Sequence, residues 1–230
     1  MANAARGTWA GTTLDDRRAA RRERLLDAGL DLLGTAGSSA TSVRAACRHA
    51  KLTERYFYEN FADREEFVVA IYERVAAETH QALVDAAPAT HRAALPSGGT
   101  TPGPHPGASP QTALERAEAA VTAFVELMVD DPRKGRVLLL APITDPALSA
   151  RGVALLPSFA ALIRDHLPAQ LDETERALTA TGLVGALANL FTAYLSGALP
   201  VPRERLIGHC VGMLARAGTP GHEPDRSATS

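Results

Sequence analysis

The chain has 230 residues, 46% hydrophobic and 22% charged, with a formal net charge of −2. That length can bury a substantial core as one large or two small domains without disulfides or metals, and no apolar run approaches the roughly 20 residues that cross a bilayer. Met1 leads into Ala, Asn, Gly and Thr with a lone Arg6 and no apolar leader, which argues against a secretory signal and for a cytoplasmic protein.

The start of the chain to residue 16 reads as a flexible arm. From Asp15 to Thr35, Leu25, Leu26, Leu30, Leu32 and Leu33 recur at helical spacing, with Arg17, Arg18, Arg21, Arg22 and Arg24 crowding the first turns. This predicts an amphipathic helix ending near Gly37. Its arginines are either an arm along a polyanion or a solvated helix start. Thr41 or Ser42 caps a short helix through Ala50, and Thr53 caps another of barely two turns ending near Asn60. Asp63 and Glu66 form a capping-box pattern ahead of a long helix to about Ala87, striped by Phe67, Ile71, Val75 and Thr79.

Residues 88–110 are dense in Pro and Gly and predict a flexible loop. Beyond it, helices are readable at residues 111–129, 132–141, 146–167 with a kink at Pro157, 172–199 and 202–217, followed by a flexible tail over 219–230. β-branched runs are scarce and no strand-like alternation occurs, so the expected class is all-α. The helix from Asp172 is apolar on more than one side and must be covered on several faces. Cys47 and Cys210 lie far apart without Cys or His at ligand spacing; both read as packing residues, with no zinc site, disulfide framework or cofactor expected.

Charge is uneven. Residues 17–64 hold ten Arg or Lys against six Asp or Glu, so the basic excess sits at one end of an otherwise acidic chain. One cationic end suits a protein that meets phosphates there and does something else elsewhere.

The segment Thr41 to Phe67, TSVRAACRHAKLTERYFYENFADREEF, preceded by ERLLDAGLDLLGTAG, resembles the DNA-binding motif of the TetR family of bacterial transcriptional regulators over about residues 20–75. The resemblance implies a three-helix head with a helix-turn-helix within residues 17–62. It also implies a helical effector-binding and dimerisation bundle over residues 63–218. In such a head the second helix offers one face to the major groove and locks its other face behind it. With Thr53 as cap, Phe57 and Phe61 share the inner face with Val43, Ala46 and Leu52. Arg55, Tyr56 and Asn60 then turn to the groove, with Tyr58 and Arg64 at its edge and Arg44 able to reach a guanine or a phosphate. By resemblance, Arg44, Glu54, Arg55 and Tyr56 are the candidate base readers. Ser42, Thr53, Tyr58, Asn60 and Arg64 are the candidate backbone clamps. The family usually has Gly where this chain has Lys51. A left-handed backbone is expected there, at a cost on the order of 1 kcal/mol for a residue with a side chain, and Lys51 would gain a phosphate contact in exchange.

The resemblance further implies a homodimer through the last two helices, bound to a palindromic double-stranded operator, with repression as the family's usual mode. Leu183, Leu187, Leu190, Tyr194, Leu206, Cys210 and Leu214 are candidates for that interface or for intrachain core. Phe124, Met128, Leu138, Phe159, Ile163, Asn189 and Phe191 are candidates to line an effector pocket, and the scarcity of polar groups among them calls for a hydrophobic effector. An enzyme is disfavoured: no glycine-rich phosphate loop, His pair at metal spacing or nucleophile elbow occurs. His166 reads as a partner of a helix C-terminal dipole. The alternative to a regulator is a helical interaction module with an inactive head.

Overall fold

The computed structural model describes residues 14–87, 110–168 and 170–217. The expected arm, loop and tail therefore lie almost entirely outside the described residues. Ten α-helices and no strand occur among those described. The head comprises α1 (Leu14–Ala36), α2 (Val43–Ala50) and α3 (Glu54–Tyr58), with a short 3₁₀ turn at Ser38–Ala40. The body begins with α4 (Arg64–Ala86) and α5 (Pro110–Val125). It continues through α6 (Pro132–Gly135), α7 (Ala141–Thr144), α8 (Pro146–Arg164), α9 (Glu173–Leu195) and α10 (Arg203–Ala217).

Local chemistry sets the boundaries. Ser42 Oγ accepts from Ala45 N at 3.2 Å to start α2. Asp63 accepts from Glu66 N at 2.8 Å while Glu66 reaches back to Ala62 N at 2.6 Å, so the capping pattern read from the sequence is made. Asp145 and Asp172 cap α8 and α9 in the same way, through Ala147 N and Glu175 N. Two stretches differ from the expected helices. Glu126–Asp130 and Arg136–Leu140 are π-helical turns, so the helices expected over 111–129 and 132–141 each change their hydrogen-bonding step partway. α8 runs on through Pro157.

One core joins the head to the body, with Leu25, Leu26, Phe57, Phe61, Phe67 and Ile71 all at or below 2% exposure. A second, smaller core gathers Val121, Val125, Phe191, Leu206 and Cys210 between α5, α9 and α10. Gly34 lets α1 approach α6: a Cβ there would stand 2.7 Å from Arg133 Cα and 2.8 Å from its carbonyl oxygen. Arg133 secures the same seam by bonding Asp31 of α1 and Asp131 ahead of α6. α8 and α9, at mean hydropathy 1.4 each, are long and apolar enough to cross a bilayer on length and composition alone, which corrects the sequence reading of apolar run length. In the fold both helices help wall a cavity, and α9 also packs into the second core.

Candidate nucleic-acid interface and the cavity behind it

The turn between α2 and α3 keeps the left-handed geometry expected at Lys51, with φ 54° and ψ 46°, the single positive φ on a non-glycine among the described residues. Leu52 N closes the turn onto Cys47 O at 2.9 Å. α3 spans five residues and is held from within by Phe57, which is fully buried and packs its ring 5.5 Å from Phe61 and 5.2 Å from Phe67. Tyr58 meets Phe57 edge-on and stays 57% exposed. The three consecutive aromatics divide, with Phe57 inside and Tyr58 outside, while Tyr56, expected to face the groove, is half-buried between them.

The cations of the head fall into two groups. Arg44 and Arg55 project outward, with side chains 87% and 86% exposed, and rest on Glu54 at 3.4 Å and Glu59 at 3.3 Å. Exposed pairs of this kind are worth little and open readily to a stronger anion. Lys51, Arg48 and Thr53 are also exposed, and Glu54 lies beside Arg44. Asn60 instead donates to Tyr56 O at 2.8 Å, sealing the end of α3.

The other cations turn inward. Arg24 donates to Ala50 O at the C-terminal end of α2 at 2.6 Å, where a positive charge also meets the negative pole of the helix. Arg18 donates to Glu59 O, and Arg21 lies 4.5 Å over the Tyr56 ring. Arg22 lies 5.1 Å from the centre of the Phe61 ring. Arg18, Arg21, Arg22 and Arg24 thus tie the helix-turn-helix to α1.

Arg64, read as a backbone clamp, is placed differently. Its guanidinium donates to Thr41 O and Ser38 O, each at 2.8 Å, to Ser38 Oγ at 2.6 Å, and to Asp145 at 3.0 Å. Asp145 is 3% exposed and also receives Ser38 Oγ–H. Burial alone would raise the Asp145 carboxyl, but the bonds from Ser38, Arg64 and Ala147 N, with the charge of Arg64, hold it below its ordinary range. This buried tie joins the start of α4 and the 3₁₀ turn of the head to the N-cap of α8. The Asp-Pro pair before α8 was the sequence signal for Asp145 as a cap; its partners across the fold had none.

Behind the head lies a cavity of about 760 Å³ walled by α4, α5, α7, α8, α9 and α10. Of the residues named as candidates for an effector pocket, Phe124, Leu138, Phe159, Ile163 and Phe191 line it. Met128 and Asn189 do not: Met128 is fully buried in the main core, and Asn189 is exposed on the outer face of α9. Ile143, Val153 and Leu156 line the cavity while remaining exposed, so its mouth is apolar. Among the expected interface residues, Leu206 and Cys210 are 2% and 0% exposed in the second core, so their side chains serve their own subunit. Leu183 is also buried, whereas Leu187, Leu190, Tyr194 and Leu214 are half-buried. Both cysteines are free and buried. Burial raises each thiol, that of Cys210 to about 11 and that of Cys47 with help from Glu54, so neither is a ready nucleophile.

Comparison with known proteins places these features. Residues 25–71 match the family model for bacterial regulatory proteins of the tetR family. No curated protein matches the chain in sequence. The fatty acid degradation regulator FadR from Bacillus halodurans superposes with TM-score 0.63 at 12% identity, covering 85% of this chain and 94% of that one. FadR from Bacillus subtilis, solved with stearoyl-CoA, gives 0.61 at 12% identity over 86% and 98% of the two chains. A transcriptional regulator from Rhodococcus sp. Rha1 gives 0.64 at 16% identity over 85% and 95%. Residues 25–71 therefore match the model of the tetR family of bacterial regulatory proteins, and the described chain takes the all-α fold of the regulators on which it superposes.

Proposed function

We propose that the protein is a cytoplasmic transcriptional repressor that binds a palindromic operator as a homodimer and is released when a small, largely hydrophobic effector occupies the cavity. The observation that carries this reading is the buried tie between Arg64 and Asp145. It links the head to the helix junction whose preceding residues, Pro142 and Ile143, line the cavity. An occupant that shifts α7 and α8 thereby acts on the head, which is what release requires.

In this reading Arg44, Glu54, Arg55 and Tyr56 meet bases, and Ser42, Thr53, Tyr58, Asn60 and Lys51 meet the backbone. Arg64 positions the head from behind. Each bidentate Arg–guanine contact is worth about 1–3 kcal/mol of discrimination. The effector is met by Phe124, Leu138, Phe159, Ile163 and Phe191. A structural neighbour crystallised with stearoyl-CoA supports an acyl-like occupant.

The second copy docks on α9 and α10. Leu178 is 65% exposed there, and a Cβ at Gly182, Gly185 or Gly208 would meet nothing within 4 Å of its own chain. Leu178, Gly182, Gly185 and Asn189 share one exposed face of α9, where mid-helix glycines cost about 1 kcal/mol each unless another backbone comes close. Leu187, Leu190, Tyr194 and Leu214 flank that face.

The test is fluorescence anisotropy with DNA from upstream of the protein's own gene. Saturable, sequence-specific, salt-sensitive binding supports the regulator. No binding at low salt supports a helical interaction module instead. In the same assay, Lys51→Gly lowers the salt slope by about 1 if Lys51 touches a phosphate, and leaves it unchanged if not.

A further inference from the structure

Tyr72 stands a little over two turns along α4 from Arg64 and is only 2% exposed, yet it lines the cavity. Its hydroxyl lies at the corner between α7 and α8. A Cβ at Gly152 of α8 would stand 3.7 Å from the Tyr72 oxygen and 2.8 Å from Pro142 Cβ of α7, and Gly152 and Pro142 line the cavity as well.

That hydroxyl makes no hydrogen bond among the described residues. Burial is the sole influence on its acidity and pushes the phenol up to about 12, so it keeps its proton and stands as a neutral donor. A nearby cation or a bonded carboxylate would have moved it too, and neither does. The oxygen is also not sealed in. Arg116 Nε and His166 Nε2 are enclosed without a partner, out of reach of any ligand, whereas the Tyr72 oxygen is not among the atoms so enclosed. An unbonded oxygen that is not enclosed, on a side chain buried from bulk water, faces the hollow that the side chain lines. Leaving it unpaired there is unfavourable unless an occupant meets it.

We infer that the cavity takes an apolar molecule bearing an uncharged hydrogen-bond acceptor, the carbonyl of a ketone, ester or amide, and that the Tyr72 hydroxyl at the α7–α8 corner donates to it. This rests on the effector reading above and names the ligand's chemistry. A carbonyl oxygen brings lone pairs and no charge, which suits a single neutral donor. A carboxylate accepts the same bond, but at Tyr72 no cation offsets the loss of its hydration. A hydrocarbon fills the apolar wall and leaves the hydroxyl unpaired. The bond forms on the helices that the Arg64–Asp145 tie joins, α4 through Tyr72 itself and α8 through Gly152, so the polar contact acts where the head is held.

The test is isothermal titration calorimetry of the full chain with butyrophenone, butylbenzene and phenylbutyrate, which pair a phenyl ring and a butyl-length chain with a ketone, no polar group and a terminal carboxylate. Tyr72→Phe removes an oxygen that bonds nothing within the fold, so its Tm should be unchanged or higher. Butyrophenone affinity should fall about ten-fold in that variant while butylbenzene affinity holds. In the parent protein butyrophenone should bind about ten-fold or more tightly than phenylbutyrate. The infrared carbonyl stretch of bound butyrophenone should lie lower in the parent than in Tyr72→Phe, which a change of cavity shape alone does not produce. Unchanged butyrophenone affinity in Tyr72→Phe, an equal loss of ketone and hydrocarbon, or identical carbonyl stretches overturns the inference, while binding of butylbenzene preserves the hydrophobic-effector reading. Phenylbutyrate binding as tightly as the ketone, with the same dependence on Tyr72, overturns the uncharged acceptor. Binding of none of the three overturns both.

Discussion

Lys51 sits at φ 54° without the freedom of glycine, and it alone of the described non-glycine residues does so. The left-handed region costs a residue with a Cβ on the order of 1 kcal/mol, so Lys51→Gly should raise the free energy of unfolding by about 0.5–1 kcal/mol in urea titrations. No gain would mean the strain is relieved elsewhere. Asp145 gives the opposite expectation. Its pKa is lowered in the fold, so the stability it contributes is present above the unfolded carboxylate value of about 3.9 and is lost as pH falls through the lower folded value. Asp145→Asn should cost about 1–3 kcal/mol at neutral pH, moderated because Arg64 is one-third exposed and keeps its two carbonyl partners. The deficit relative to the parent protein should shrink as acid is added. An equal deficit at pH 7 and in strong acid would place the loss in packing rather than charge.

At the scale of elements, the α1–α6 seam is the least forgiving contact. Gly34→Ala would drive a methyl group into the backbone of Arg133, which cannot move like a side-chain tip. A loss of about 1–3 kcal/mol is expected, with faster amide exchange in α6. The seam also shows what the sequence could and could not reveal. α2 and α4 were legible because Ser42 and Asp63 make the caps their sequence announces, and α3 because Phe57, Phe61 and Phe67 fall at inward spacing; Thr53 stands at the start of α3 but makes no side-chain cap bond. The π turns at Glu126–Asp130 and Arg136–Leu140 were not, because an added residue per turn leaves no mark in apolar periodicity. The inward roles of Arg18, Arg21, Arg24 and Arg64 were illegible for another reason: an arginine that caps a distant carbonyl and one that waits in solvent have the same sequence signature. The same limit applies to the cavity, since Phe159 and Ile163 would recur at helical spacing whether they met a neighbour or a hollow.

For the whole molecule, the proposed dimer is tested at the exposed glycines of α9. Gly185→Leu has room within its own chain, so the subunit should fold with unchanged helicity by circular dichroism. With the parent protein dimeric as proposed, analytical ultracentrifugation should find the variant monomeric, and operator affinity should fall by two orders of magnitude or more as one head loses the other. A dimeric Gly185→Leu would move the interface off α9. Leu206→Ala, by contrast, opens the second core and should destabilise each subunit by about 2–5 kcal/mol.

The cavity is walled by segments from Tyr72 to Ala215, remote in sequence, so it exists only while the body is folded. Whatever occupies it binds the native chain and not the unfolded one. Its free energy of binding is then added to thermal stability, by about 2.7 kcal/mol at a hundred times Kd. An effector can accordingly be recognised by heating the protein with candidate compounds and reading the rise in Tm, before any operator sequence is known.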